Sequence, residues 1–244
     1  MSQLSNKVAL ITGGSSGIGL AVARVFLQEG ARVAITGRTE AKLQEASKSL
    51  AGGDRLLYQA ADIADPAQVK TLVQQVVQKF GPVDILVNNA GQNLKHRTFR
   101  ELTPESWQQL LRANLDGAFY CIHAVLPEML KKRDGVIVNI NSVAGKRASP
   151  LGGTAYAASK FGMTALGLGL AAEEKDSGIR VSNIYPGEVD TPILEVRPTP
   201  VTAEHRNKIL RSDDVARAVL FVATLPPHVS VPELVIKPTS QMYI

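Results

Sequence analysis

The chain has 244 residues, 45% hydrophobic and 20% charged, with a net charge of +5 and one cysteine, Cys121. That length suits one large α/β domain, and a lone cysteine excludes an intramolecular disulfide and fits a reducing compartment. Residues 165–172, the longest apolar stretch, are broken by Gly167 and Gly169 and fall well short of a membrane span.

The first strand-like run begins at Val8, which leaves no room for a secretory leader, so a cytoplasmic protein is expected. The positive charge favours anionic ligands, yet only Lys131-Lys132-Arg133 clusters. That triplet follows a helical run and precedes Asp134-Gly135, so it reads as a helix C-terminus complementing the macrodipole, not as a nucleic-acid surface. Neither nucleic acid nor membrane is expected as a partner.

In chain order, the run at 8–11 is the first predicted strand, and it leads into Thr12-Gly13-Gly14-Ser15-Ser16-Gly17-Ile18-Gly19 and an apolar helical stretch, 20–27. A strand, glycine turn and helix in that order let a pyrophosphate approach the backbone and sit at a helix N-terminus. A second strand, 33–36, ends in Gly37-Arg38-Thr39 without the carboxylate that would hold a ribose 2′-hydroxyl. An arginine there matches a 2′-phosphate in shape and charge, so NADP(H) is the expected cofactor.

Further strands are predicted at 56–60, 85–87, 136–140, 180–184 and 234–236, separated by helices. One helix spans 66–80, with Asp65 as N-cap, Pro66 in the first turn, and Gly81 as its stop. Others open at Thr103-Pro104 and at Ser212-Asp213-Asp214. Asp62, after the third strand, reads either as an adenine contact or as a loop cap. The alternation implies a parallel sheet with helices on both faces, in a single domain spanning 1–244. Residues 190–210, with Pro192, Pro198 and Pro200, read as a substrate loop or short lid. Gly162, Gly167 and Gly169 fall within one helix, which suggests close approach of another helix or of cofactor and favours a helix–helix subunit contact.

Tyr156 and Lys160 lie four apart, which places both on one helix face. A free phenol ionises near pH 10, and a neighbouring ammonium favours its phenolate, so the pair reads as a proton-transfer device. Cys121 reads as a packed thiol. The four histidines are dispersed and form no metal template, and His96 reads as a solvent-facing loop residue.

Taken together, Thr12–Gly19, Asp62-Ile63, Asn88-Asn89-Ala90-Gly91, Asn114, Ser142, Tyr156-x-x-x-Lys160 and Pro186-Gly187 resemble the short-chain dehydrogenase/reductase family along essentially the whole chain. The similarity is strongest to its NADP-dependent branch of 3-hydroxy-acid (serine-type) dehydrogenases and carbonyl reductases. It implies an α/β fold: a single Rossmann-type, doubly wound parallel sheet of seven strands, assembled as a homotetramer or homodimer. It further implies that Tyr156 is the general acid/base, that Lys160 lowers the phenol pKa and holds the nicotinamide ribose, and that Ser142 bonds the substrate oxygen. Asn114 would position a water relaying protons to Lys160.

The implied cofactor contacts are Gly13, Ser15, Ser16, Gly17, Ile18, Gly19, Arg38, Thr39, Asp62, Ile63, Asn89, Ala90 and Gly91, with Tyr156 and Lys160. Pro186, Gly187, Val189 and Thr191 would run beside the nicotinamide, and no metal is implied. The expected reaction interconverts a small ketone, aldehyde or 3-oxo acid with its alcohol. A 3-oxoacyl-thioester reductase and a non-catalytic NADP(H)-binding regulator are the alternatives. The last strand, Pro232–Pro238, lacks the family's Gly-Gly ending, which puts the usual C-terminal interface in doubt.

Overall fold

The computed structural model describes residues 2–242. Its centre is a seven-stranded parallel sheet made of β1 (Val8–Thr12), β2 (Arg32–Gly37), β3 (Leu56–Ala60), β4 (Ile85–Asn88), β5 (Gly135–Ile140), β6 (Ile179–Pro186) and, last in the chain, β9 (Glu233–Ile236). The spatial order is β3-β2-β1-β4-β5-β6-β9, so the chain reverses its winding between β1 and β4. In such sheets ligands bind in the crevice outside the strands' C-terminal ends, at the switch point. Each predicted strand is present, extended by no more than two residues at either end.

The five central strands, β1, β2, β4, β5 and β6, are buried on both faces, which is why they read as near-continuous apolar runs in the sequence. Odd-numbered β1 residues (Ala9, Ile11) face a core shared with α1 (Gly17–Gln28), α2 (Glu40–Leu50) and α8 (Ser212–Ala223). Even-numbered ones (Val8, Leu10) face a second core with α3 (Pro66–Phe80), α5 (Gly117–Lys132) and α6 (Thr154–Glu173). Asp65 caps α3 as expected, its carboxylate accepting from the Ala67 and Gln68 amides. α4 (Pro104–Leu111) starts in a Thr103/Ser106 capping box. α8 opens at Ser212 as expected, with Arg211 as its N-cap and the Asp214 carboxylate accepting from the Arg211 N–H at 2.8 Å. The basic triplet closes α5, with Lys132 paired to Asp84. Among the described residues, no helix is long and apolar enough to cross a membrane.

At Gly162 the expected close approach of another helical segment comes from within the chain, at Leu115, while Gly167 meets side chains of the sheet. A side chain at Gly162 would press 2.7 Å from the Leu115 methyl, and one at Gly167 would lie 2.8 Å from Asn139 Nδ2 and closer still to Asn183. Both serve packing within the chain, and only Gly169 faces open space. Beneath Gly167 runs a ladder of buried asparagines. Asn88, Asn139 and Asn183 are register partners on β4, β5 and β6. The Asn88 amide donates to Asn139 Oδ1 at 3.0 Å, and the Asn139 amide donates to Asn183 Oδ1 at 3.0 Å.

Residues 190–210 hold more structure than a loop. β7 (Val189–Asp190) pairs with β8 (Leu210–Arg211), and between them lie a 3₁₀ turn, Pro192–Val196, and a one-turn helix, α7 (Ala203–Arg206). Asp190 pairs with Arg206, and Glu188 with Arg197 and His205. The proline-rich composition hides this order because ion pairs, not hydrophobic periodicity, hold it together.

Candidate active site

A cavity of about 560 Å³ opens at the C-terminal edge of the sheet, over the switch point. Its floor is the glycine turn. Thr12 Oγ1 accepts from the Asn89 and Ala90 amides at 3.0 Å, and Asn89 Nδ2 donates to the Thr12 carbonyl at 2.9 Å, so the ends of β1 and β4 are tied together. Gly13 sits at φ +64°, and a Cβ there would strike Ala90 at 2.9 Å, so only glycine suits this crossing. Gly19 does not line the cavity. It lies buried against the Gly13 carbonyl, where it lets α1 approach the turn.

The turn delivers the N-terminus of α1 to the cavity. Ser16, the N-cap, makes no side-chain capping bond, and the first turn holds no acidic residue. Free N–H groups and the positive end of the dipole are thus offered to an anion. Beside them stand Arg38, Thr39 and Lys42, all exposed and lining the cavity. The Arg38 guanidinium makes one long contact, 3.5 Å to Gln92 Oε1, and among the described residues no carboxylate pairs with it. Asp62 and Ile63 line the wall opposite, with Asp62 Oδ1 accepting from the Ala64 amide at 3.0 Å, so this residue both caps its loop and faces the cavity. This donor set, cationic and free of acids at the turn, fits a phosphorylated dinucleotide.

Ala90, Gly91, Pro186, Gly187, Val189 and Thr191 continue the lining toward the far end, where Ser142, Tyr156 and Lys160 meet. Ser142 follows β5, and its oxygen accepts from the Ala144 amide at 3.1 Å. It also lies close enough to the half-buried Tyr156 hydroxyl to influence it. Burial is the strongest influence on that phenol and raises its pKa, against smaller lowering effects from Ser142 and the Arg97 charge. The Tyr156 proton is therefore held through neutral pH.

Lys160 differs from expectation. Its Nζ donates to the Ile140 carbonyl at 3.0 Å and lies 5.8 Å from the Tyr156 ring centre. The ammonium thus faces the ring and not the phenol oxygen, and the influences on the phenol are burial, Ser142 and Arg97. Only 3% exposed, Lys160 is pushed down by burial to about 8. Since the folded state holds this proton less tightly than the unfolded chain, stability should rise with pH from about 8 to 10.5. Below that window the buried ammonium costs about 3 kcal/mol. Chemical denaturation across the window should show the wild-type protein gaining on a Lys160→Met variant as pH rises; parallel curves would contradict the assignment.

Asn114 lies outside the cavity lining, fully buried in a π-turn at Arg112–Asp116 between α4 and α5. π-turns within helices often mark functional positions. The Asn114 amide is engaged by the Gln92 main chain, accepting from its N–H at 2.8 Å and donating to its carbonyl at 3.0 Å, and by Ser159 Oγ at 3.1 Å. It approaches Lys160 across Gly91: a Cβ there would lie 3.4 Å from Asn114 Oδ1 and 3.7 Å from Lys160 Nζ.

The structure adds cavity residues that the motifs did not single out, among them Lys42, Gln92, Arg97, Arg197 and Gln241. Lys95 and His96 point outward, His96 toward Glu101, while Arg97 turns inward and is 5% exposed. Nothing in Lys95-His96-Arg97 distinguishes the third residue; its burial depends on distant segments closing over it. Cys121 is a packed thiol whose pKa burial raises to about 12. No cluster of three or more His, Cys, Asp or Glu suited to a metal occurs among the described residues.

The fold agrees with comparison to known proteins. A model of the short chain dehydrogenase family matches residues 7–200. An uncharacterised oxidoreductase of Staphylococcus saprophyticus is 36% identical over 98% of this chain and 100% of its own length. One from Staphylococcus aureus is 35% identical over the same shares. Among solved structures, a closed form of serine dehydrogenase complexed with NADP+ superposes with a TM-score of 0.89 at 33% identity, covering 97% of this chain and 96% of its own. The actinorhodin polyketide ketoreductase with NADPH gives 0.86 at 33% identity, with 96% of each chain covered. The chain belongs to the short chain dehydrogenase family, and its doubly wound sheet is the Rossmann-type fold expected from the sequence.

Proposed function

We propose that this protein is an NADP(H)-dependent oxidoreductase that interconverts a small ketone, aldehyde or 3-oxo acid with its alcohol. The observation that carries this reading is one cavity with a cationic dinucleotide end at Arg38 and Lys42 and a proton-transfer end at Ser142, Tyr156 and Lys160. The whole chain acts as one dinucleotide-binding and catalytic unit, in the cytoplasm, as a homodimer or homotetramer.

The glycine turn and α1 would take the pyrophosphate, Arg38 with Thr39 the 2′-phosphate, Asp62 and Ile63 the adenine, and Pro186 to Thr191 the nicotinamide side. Bound NADPH supplies the hydride. Ser142 and Tyr156 donate hydrogen bonds to the substrate oxygen, where negative charge develops. Tyr156 delivers its proton as that charge builds, and the Lys160 ammonium stabilises the phenolate left behind. Asn114 holds the Gly91–Gln92 backbone against Lys160, which keeps open a route for the proton that restores Tyr156.

The decisive experiment is a panel of small carbonyl compounds with NADPH consumption followed by absorbance. Reduction of at least one class, faster with NADPH than NADH, is expected. NADPH binding without turnover across the panel would favour a regulatory role.

A further inference from the structure

We propose that the substrate of this site carries a carboxylate, received by Arg97 with Arg197 at the end of the cavity beside Tyr156. The inference rests on the oxidoreductase reading above and narrows it to anionic carbonyl compounds. Arg97 is a buried cation without a counter-ion: no acidic side chain among the described residues lies within ion-pair distance of it. One of its Nη atoms donates to the Leu151 carbonyl at 3.0 Å, the other to the Val196 carbonyl, and its buried Nε–H has no partner. A guanidinium used only to tie two loops leaves its charge uncompensated, and burying such a charge is costly unless something pairs with it.

Its surroundings point to what that partner is. Arg97 lies close enough to Tyr156 for its charge to act on the phenol, and close enough to Arg197 for the two cations to repel. Arg197 has one acidic partner, Glu188, at 3.2 Å. Two arginines thus face one carboxylate here, and the excess positive charge sits where a substrate bound to Tyr156 would extend. A planar carboxylate matches the guanidinium fork. Arg97 also bridges Leu151, before α6, to Val196 in the 3₁₀ turn. An anion seated on it would therefore meet the segment covering the site.

The test pairs each acid with its neutral counterpart, using 3-hydroxybutyrate against its methyl ester, and 3-oxobutyrate against its own. Calorimetric binding to the NADP+-saturated protein should favour the 3-hydroxy acid by about tenfold or more. Arg97→Gln and Arg197→Gln should each erode that preference without lowering affinity for the ester equally. Because Arg97→Gln could loosen the lid, the comparison in the wild-type protein decides. Equal binding of acid and ester, or no binding of the acid, would overturn the carboxylate assignment. Turnover of the two 3-oxo compounds judges the other reading: ester and acid reduced alike refute the charge recognition but leave the reductase standing. An acid that binds selectively, in a protein that reduces no carbonyl compound, would refute the reductase while leaving the anion site in place.

Discussion

Replacing Tyr156 with phenylalanine is expected to leave NADPH affinity and folding intact while lowering carbonyl reduction by about 10²–10⁴-fold, the usual contribution of a positioned general acid. The ring stays, so the packing of α6 against Ser142 and the cavity wall is unchanged. What is lost is the single proton donor that burial keeps loaded through neutral pH. Ser142 would still reach the substrate oxygen, which accounts for residual activity through charge stabilisation alone. Steady-state rates with a saturating carbonyl substrate, beside NADPH titration by fluorescence, separate the two effects. Undiminished turnover would remove Tyr156 from the mechanism.

Changing Arg38 to aspartate is expected to weaken NADPH by about 10- to 100-fold, the range for losing a hydrogen-bonded charge pair, with NADH affinity nearly unaltered. Arg38 is exposed, makes one long contact to Gln92, and stands where β2 ends beside the glycine turn. Its removal therefore disturbs little of the fold, and the discrimination between the two cofactors reports on the 2′-phosphate alone. Lys42, in the first turn of α2 and lining the same cavity, would retain part of the attraction in the variant. Parallel losses for both cofactors would assign Arg38 a general role in binding instead.

Most of the fold is legible because a doubly covered parallel sheet leaves strong marks: β-branched runs for strands, and Asp65-Pro66 with Gly81 bracketing α3. The residues lining the cavity were mostly legible too, since the glycine turn, Arg38 and Tyr156-x-x-x-Lys160 encode local geometry. What escaped depends on segments distant in sequence. Gly162 and Gly167 looked like an intersubunit surface because their neighbours, Leu115 and the asparagines of β5 and β6, arrive from elsewhere in the chain. Arg97 follows Lys95-His96 with nothing local to set it apart, and only Leu151 and Val196, distant in sequence, close over it. The distance between Lys160 and the phenol oxygen was also unreadable. Spacing puts two side chains on one helix face, but the Ile140 carbonyl decides where the ammonium points.

The asparagine ladder bears on how the sheet finds its alignment as it folds. Alternation of inward and outward residues penalises a strand that slips by one position, since its side chains change face. A slip by two passes that check. Here such a slip would set Asn139 against Leu86 or Asn183 against Ile137, stranding buried amides at about 1–3 kcal/mol each. The ladder thus works as a proofreading key for even-numbered errors at β4, β5 and β6, the strands whose ends carry Gly91, Ser142 and Pro186. A two-residue error would displace Ser142 by about 6–7 Å from its partner on α6. Chains that mispair would lose chemistry and stability together, so misaligned copies are disfavoured before they can persist as inactive protein.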